Sequence, residues 1–77
     1  MRIEQCRSAR ALLNWSAAEL AEAARLGSAT VRRFESGQTV QPESIDLMRQ
    51  ALERAGVLFI QDGETSRRAG YGVRMAG

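Results

Sequence analysis

The sequence predicts a mainly α-helical domain in which four short helices are followed by a pair of β-strands. Hydrophobic residues recur at intervals of three and four through residues 1–56, and the pattern then changes to one typical of strands. The chain has 77 residues, which is enough for one small domain with a marginal core. We therefore divide it into a helical domain, residues 1–56, and a strand extension, residues 57–77.

Signals for helix starts and stops divide the helical domain into its four elements. Ser16 followed by Glu19 is a capping box, so a second helix is expected to begin there. A third helix is expected from Ser28 to Gly37, because glycine accepts the left-handed conformation at a helix end. Pro42 suits the first turn of a fourth helix. The residues expected on the inner faces are Ile3, Cys6, either Ala9 or Arg10, and Leu13; Leu20, Ala21 and Ala24; Val31 and Phe34; and Ile45, Met48, Leu52 and Ala55.

The remaining residues follow strand patterns. Val57 to Ile60 form a continuous apolar run, and Tyr71, Val73 and Met75 alternate with Gly72 and Arg74. The polar segment between the two runs is longer than a usual hairpin loop. We therefore expect the two strands to pair either with each other or with another copy of the chain.

Composition excludes most catalytic chemistry. The chain has no histidine, one cysteine, and eleven basic residues, all arginine, against nine acidic residues. Without histidine it lacks the commonest general base and the commonest metal ligand. We expect no enzyme activity, no metal and no cofactor. The formal net charge of +2 permits an anionic partner but creates only a weak field.

Cysteine usage and hydropathy indicate where the protein acts. A single cysteine cannot form an intramolecular disulfide, whereas small secreted domains usually contain several. Charged residues interrupt the amino-terminal region, so no apolar run of a signal peptide is present there. No segment is apolar over the length that a membrane span requires. We expect a cytoplasmic protein that does not bind membranes.

Residues 16–37 carry the functional signal. Two short helices joined by a break of three or four residues form a helix-turn-helix arrangement. Ala21 and Ala24 are small enough for the two helices to cross closely. Arg32 and Arg33 are expected on the outer face of the second of these helices, where a guanidinium can bind phosphate or a guanine edge.

The stretch from Ser16 to Gly37 closely resembles the Cro/repressor class of helix-turn-helix regulators, also called XRE-type. The resemblance extends over residues 3–56, and its marks are Leu20-Ala21, Thr30-Val31 and Phe34-Glu35-Ser36-Gly37. It implies a compact, lambda-repressor-like domain whose third helix enters the major groove of double-stranded DNA. It also implies that the protein acts as a dimer.

The resemblance assigns roles to individual positions. It implies that Ser28, Ala29, Arg32 and Arg33 face the DNA and that Thr30 reaches a phosphate. It further implies that the second helix touches the DNA backbone through its first residues, where this chain has Ala17 in place of the glutamine of many members. Relatives also pair an arginine at the position of Arg10 with the glutamate matching Glu35. We expect a structural ion pair there rather than a phosphate contact by Arg10.

Two functions are consistent with these observations. The first is a transcriptional regulator, a repressor, that reads DNA as a homodimer. The alternative is an antitoxin-like or adaptor module whose strand region binds a partner protein, because a strand that pairs with itself and one that pairs with a partner look alike. The residues expected at the dimer interface are Leu58, Phe59, Ile60, Tyr71 and Val73.

Overall fold

A computed structural model of the chain describes residues 1–60 and 72–76. It confirms the predicted fold class, four helices with a two-stranded antiparallel sheet at the carboxyl-terminal end. The helices are α1 (Ile3–Leu13), α2 (Ala17–Ala24), α3 (Ser28–Glu35) and α4 (Pro42–Arg54), and the strands are β1 (Val57–Phe59) and β2 (Val73–Met75). No helix in these two segments has the length and apolar character needed to cross a membrane.

Local side-chain chemistry sets the helix boundaries. The Ser16 hydroxyl accepts a hydrogen bond from the Glu19 amide at 3.1 Å, and the Glu19 carboxylate accepts one from the Ser16 amide at 2.8 Å. This reciprocal box satisfies two of the amides that a helix start leaves free. The C-cap residues of α1 and α2, Asn14 and Arg25, are both left-handed, with φ of 56° and 60°. Gly37, just past α3, has φ of 91°, a conformation that favours glycine.

One apolar cluster holds the helices and strands together. α2 packs on both α3 and α4, and Ala21 and Ala24 are almost fully buried among these helices. Ile3, Leu13 and Ile45, which the pattern assigned to inner faces, are partly buried and pack against the cluster. Its buried members are Cys6, Ala9, Leu20, Ala21, Ala24, Val31, Phe34, Met48, Ala51, Leu52, Val57 and Val73.

The two strands pair within one chain. β1 runs antiparallel to β2 with Leu58 opposite Arg74. At the end of the pair, the Gly72 carbonyl accepts hydrogen bonds from the Ile60 amide at 2.6 Å and from the buried Gln5 side chain at 3.3 Å. The start of α1 therefore contacts the strand region directly.

The strands belong to the same core as the helices. Val57 and Val73 are 1% and 0% exposed and lie in the cluster that contains the helical core residues. α4 packs against β1, and α1 packs against β2. The division at residues 56 and 57 therefore separates helices from strands, but both sides share one core.

Candidate nucleic-acid interface

The interface is built on the turn between α2 and α3. The Leu26 amide donates to the Ala21 carbonyl at 2.8 Å, and the Thr30 amide donates to the Gly27 carbonyl at 3.0 Å. Gly27 is the N-cap of α3 and makes no side-chain capping bond. The first bond closes the end of α2 and the second closes the first turn of α3, and the two helices pack against each other.

α3 divides cleanly into a buried and an exposed face. Val31 and Phe34 are buried, whereas Ala29, Arg32 and Arg33 are exposed. Within residues 1–60 and 72–76, neither guanidinium makes a hydrogen bond or an ion pair. Both arginines are therefore available to a ligand that approaches α3 from solvent.

A groove runs along the side of α3 that faces α4. Thr30 and Arg33 line a shallow groove of about 400 Å³ between α3 and the start of α4. The loop that closes this groove contains Thr39 and Gln41 and carries no charge. Ser28 lies half-buried at the amino-terminal end of α3. The structure thus gathers Ser28, Ala29, Thr30, Arg32 and Arg33 on or beside the surface that α3 shows to solvent.

The start of α2 offers backbone amides rather than side chains. Ala17 is half-buried and packs against the core, and the neighbouring Ser16 and Glu19 side chains are occupied in the capping box. The Ala17 and Ala18 amides make no hydrogen bond in the part of the chain that the structure describes. A helix start of this kind attracts anions, because its free amides and the helix dipole favour negative charge.

An ion pair joins α1 to the last residue of α3. The Arg10 guanidinium donates to both carboxylate oxygens of Glu35, at 2.8 and 2.6 Å, and to the Trp15 carbonyl at 3.0 Å. The Cys6 thiol donates to the same carboxylate at 3.2 Å. The two charged side chains are only 21% and 11% exposed, so Arg10 is occupied by protein and holds α3 in place.

The electrostatics of this cluster favour the charged pair. Burial works against ionisation of Glu35, but the hydrogen bonds from Arg10 and Cys6 outweigh it and lower the pKa of the carboxyl below its usual range. The hydrogen bond to Glu35 raises the pKa of Arg10. Burial, followed by the hydrogen bond to Glu35, raises the pKa of the Cys6 thiol and so disfavours the thiolate.

Reasoning from sequence missed the role of Cys6 in this cluster. Cys6 was expected only on the inner face of α1, whereas its thiol is a third donor to Glu35. The available signal was its spacing of four residues from Arg10, which places both side chains on one face of a helix.

The residues expected at a dimer interface have different environments. Leu58 is 41% exposed, Phe59 and Ile60 are half-buried, and Tyr71 lies outside the described residues. The Phe59 ring lies under the Arg49 guanidinium of α4, 4.9 Å from the ring centroid. Val73 is fully buried in its own chain, so its side chain is not available to a partner.

Comparison with known proteins agrees with this geometry. A family model described as helix-turn-helix matches residues 7–55, more than half of the chain. The match contains the ion pair, the turn and the whole exposed face of α3. No curated protein sequence matches the chain. Members of the matched family bind DNA and are not typically enzymes. The chain belongs to the Cro/repressor-like, XRE-type family of helix-turn-helix DNA-binding regulators.

Proposed function

We propose that this DNA-binding regulator is a repressor that recognises a specific duplex sequence as a homodimer, with α3 in the major groove. The observation that carries the proposal is the exposed face of α3. Arg32 and Arg33 extend from it without a partner among the described residues, while the opposite face is anchored by Val31 and Phe34. A major groove about 12 Å wide admits a helix of this kind.

The remaining contacts of the proposed complex follow from this placement. Ala29 has only a methyl group, which lets the backbone of α3 approach the bases closely. The amides of Ala17 and Ala18 at the start of α2, which have no partner in residues 1–60 and 72–76, suit a backbone phosphate. Thr30 beside the groove supplies a hydroxyl for a second phosphate. These contacts position the domain, and the arginines supply the strongest donors.

A single copy makes too few contacts for specific control. DNA affinity increases with the number of phosphates that the protein neutralises. With a net charge of only +2, one copy is expected to neutralise few of them. Two copies related by a two-fold axis would read half-sites about 34 Å apart, one turn of the duplex. The proposed function therefore includes a surface for self-association.

The surface that we propose for self-association is the β1 edge of the hairpin. Ile60 pairs with Gly72 and Gly56 pairs with Ala76 through hydrogen bonds that flank the Leu58–Arg74 position. Hydrogen-bonded pairs alternate along an antiparallel ladder, so the N–H and C=O groups of the intervening residues point away from the partner strand. Among the described residues, no further strand pairs with either edge. The outward groups on β1 are those of Val57 and Phe59.

Charge favours pairing through the β1 edge over pairing through the β2 edge. A two-fold pairing of β2 centred on its middle residue would place Arg74 opposite Arg74 of the second copy, which is destabilising. The same pairing of β1 places two Leu58 side chains opposite each other, and each is 41% exposed in the single chain. We propose that β1 pairs with β1 of a second copy, with Leu58 at the two-fold axis. Phe59 and Ile60 then lie beside the axis.

The experiment that tests the function uses the full chain. DNA fragments are selected from a random pool, and affinity is measured by fluorescence anisotropy for the wild type and for a variant with Arg32→Ala and Arg33→Ala. An arginine that reads a base should contribute about 1–3 kcal/mol, and one that binds a phosphate should weaken binding to all sequences alike, so the double variant should bind about tenfold more weakly or worse. Arg54→Ala is the matched control, because Arg54 is exposed on α4 and makes one long contact of 3.4 Å. Equal affinity for the double variant and the wild type would contradict the proposal.

Two further measurements separate the proposal from its alternative. A selected site placed over a promoter should lower expression of a reporter in cells that make the wild type, but not in cells that make the double variant. Raised expression would identify an activator. A full chain that stays monomeric, binds no duplex and becomes stable only with a co-expressed protein would instead favour the partner-binding module.

A further inference from the structure

We propose that the DNA half-site contains guanine in the major groove and that Arg32 and Arg33 read it. The inference rests on the proposed docking of α3, and it adds the class of base that the helix recognises. Each base pair presents its own pattern of donors and acceptors in the major groove, so the side chains of α3 determine which bases can be read.

The exposed face of α3 lacks the usual partners of adenine. Adenine is read by the amide of asparagine or glutamine, which donates to N7 and accepts from the N6 amino group. α3 contains neither residue, since its sequence is SATVRRFE. The nearest glutamines follow the helix: Gln38 donates its amide to the Ser36 hydroxyl at 3.1 Å, and Gln41 is the N-cap of α4.

The same face lacks a free acceptor for cytosine. The cytosine N4 amino group is read by a carboxylate, and Glu35 is the one acidic residue of α3. Both of its carboxylate oxygens accept from Arg10, and one also accepts from Cys6. Glu35 is 11% exposed and is directed toward α1, so it does not reach a base.

The remaining exposed side chains of α3 suit guanine. Guanine presents two acceptors, N7 and O6, and a guanidinium donates to both through parallel N–H groups. Arg32 and Arg33 are exposed and have no partner within residues 1–60 and 72–76. Ser28 and Thr30 carry hydroxyls, which donate and accept and therefore discriminate little. The methyl group of Ala29 suits contact with a thymine methyl.

The test begins with half-sites selected by the full chain from random duplexes. In the preferred site, each enriched guanine is replaced in turn by 7-deazaguanine, which lacks the N7 acceptor but pairs normally. We expect the affinity to fall roughly 3-fold to 12-fold at a guanine that an arginine reads, because the N7 bond of the bidentate contact is lost while the O6 bond remains. Replacement of adenines in the same duplex by 7-deazaadenine is the matched control and should change the affinity less than twofold.

Single variants connect the bases to the side chains. Each of the single variants Arg32→Ala and Arg33→Ala should lose the preference for guanine at the base position that the missing arginine reads. At that position, the variant should bind duplexes with guanine and with 7-deazaguanine equally well. Enriched sites without guanine, or sites that tolerate 7-deazaguanine at every position, would overturn the inference while leaving the proposed function intact. If the full chain retains no duplex from the pool, the proposed function itself fails.

Discussion

The Arg10 guanidinium and the Glu35 carboxylate form a two-bonded ion pair that connects α1 to the last residue of α3. α3 also rests on α2 through the turn, so it is held at both ends. The pair matters for the proposed DNA contacts because Arg32 and Arg33 lie within the last turn of the helix that Glu35 terminates. A change in this pair is therefore expected to alter both stability and the direction of the two arginines.

Loss of one partner should destabilise the fold. Glu35→Gln leaves the Arg10 charge largely buried without a counter-charge, which typically costs about 3 kcal/mol. In a domain of this size, that corresponds to a lower Tm by more than about 10 °C. Thermal unfolding monitored by circular dichroism measures the shift.

A double-mutant cycle distinguishes the pair from two independent effects. Arg10→Met alone should destabilise by a similar amount, whereas the double variant should lose less than the sum of the two single variants. Additive losses would show that the two side chains contribute separately and would contradict the prediction.

Stability should depend on pH through Glu35. The pKa of this carboxyl is lower in the folded chain than its usual value near 4.3, so its contribution is complete above about pH 4.3. That contribution is lost as the pH falls through the lower, folded pKa, because the unfolded chain binds the proton more readily. Urea unfolding of the wild type and of Glu35→Gln from about pH 6 downward should show a weaker loss in the variant. Parallel curves would assign the acid sensitivity to other groups.

The elements that could be predicted from sequence are the local ones. The Ser16–Glu19 box depends on a spacing of three residues, and the structure shows both of its hydrogen bonds. Arg10 and Glu35 are 25 positions apart, so only the family resemblance connected them. The bond from Cys6 to Glu35 requires the packed arrangement of α1 and α3, which spacing alone does not define.

The strand region shows the same limit. Alternation identified Val73 as one member of an apolar face, but it could not tell whether the chain itself or a partner covers that face. In the structure Val73 is buried by its own chain, while Leu58 in the facing strand is exposed. The long polar segment between the strands also left their pairing undecided, and the structure shows antiparallel pairing within the chain.

Cys6 should react with thiol reagents only when the chain opens. Its side chain is 0% exposed, and burial together with the bond to Glu35 disfavours the reactive thiolate. At about pH 8 the native protein should react with a disulfide reagent far more slowly than the urea-unfolded chain. The rate should rise in parallel with the unfolded fraction as urea is added. Rapid labelling of the native protein would show that Cys6 is accessible without unfolding.

Gly72→Ala should destabilise the contact between α1 and the hairpin. A Cβ at this position would lie 2.9 Å from the Gln5 side-chain nitrogen and 3.1 Å from the Ile60 carbonyl oxygen, and φ is 75°. Gly37→Ala is the control, because φ there is 91° but nothing lies within 4 Å of the added Cβ. In both variants, placing alanine in the left-handed conformation should lower the free energy of unfolding by about 1 kcal/mol. Chemical unfolding should show a larger loss for Gly72→Ala, and equal losses would mean that the close approach has no cost.

Leu58→Glu should separate the proposed dimer while leaving the fold intact. Leu58 is 41% exposed and faces Arg74 across the hairpin, so a glutamate there gains an opposite charge within its own chain. In the proposed dimer the same change places two carboxylates opposite each other at the two-fold axis. Truncation is a poorer test, because removal of the strands would also remove Val57 and Val73 from the core.

The matched control for this change is Leu47→Glu on α4, since Leu47 is also 41% exposed. Sedimentation equilibrium should give a monomer for Leu58→Glu and a dimer for the control, with unchanged circular dichroism for both. The DNA affinity of Leu58→Glu should also fall, because each separate copy would contact only one half-site. A monomer in the control together with a dimer in Leu58→Glu would place the interface on α4 instead of on β1.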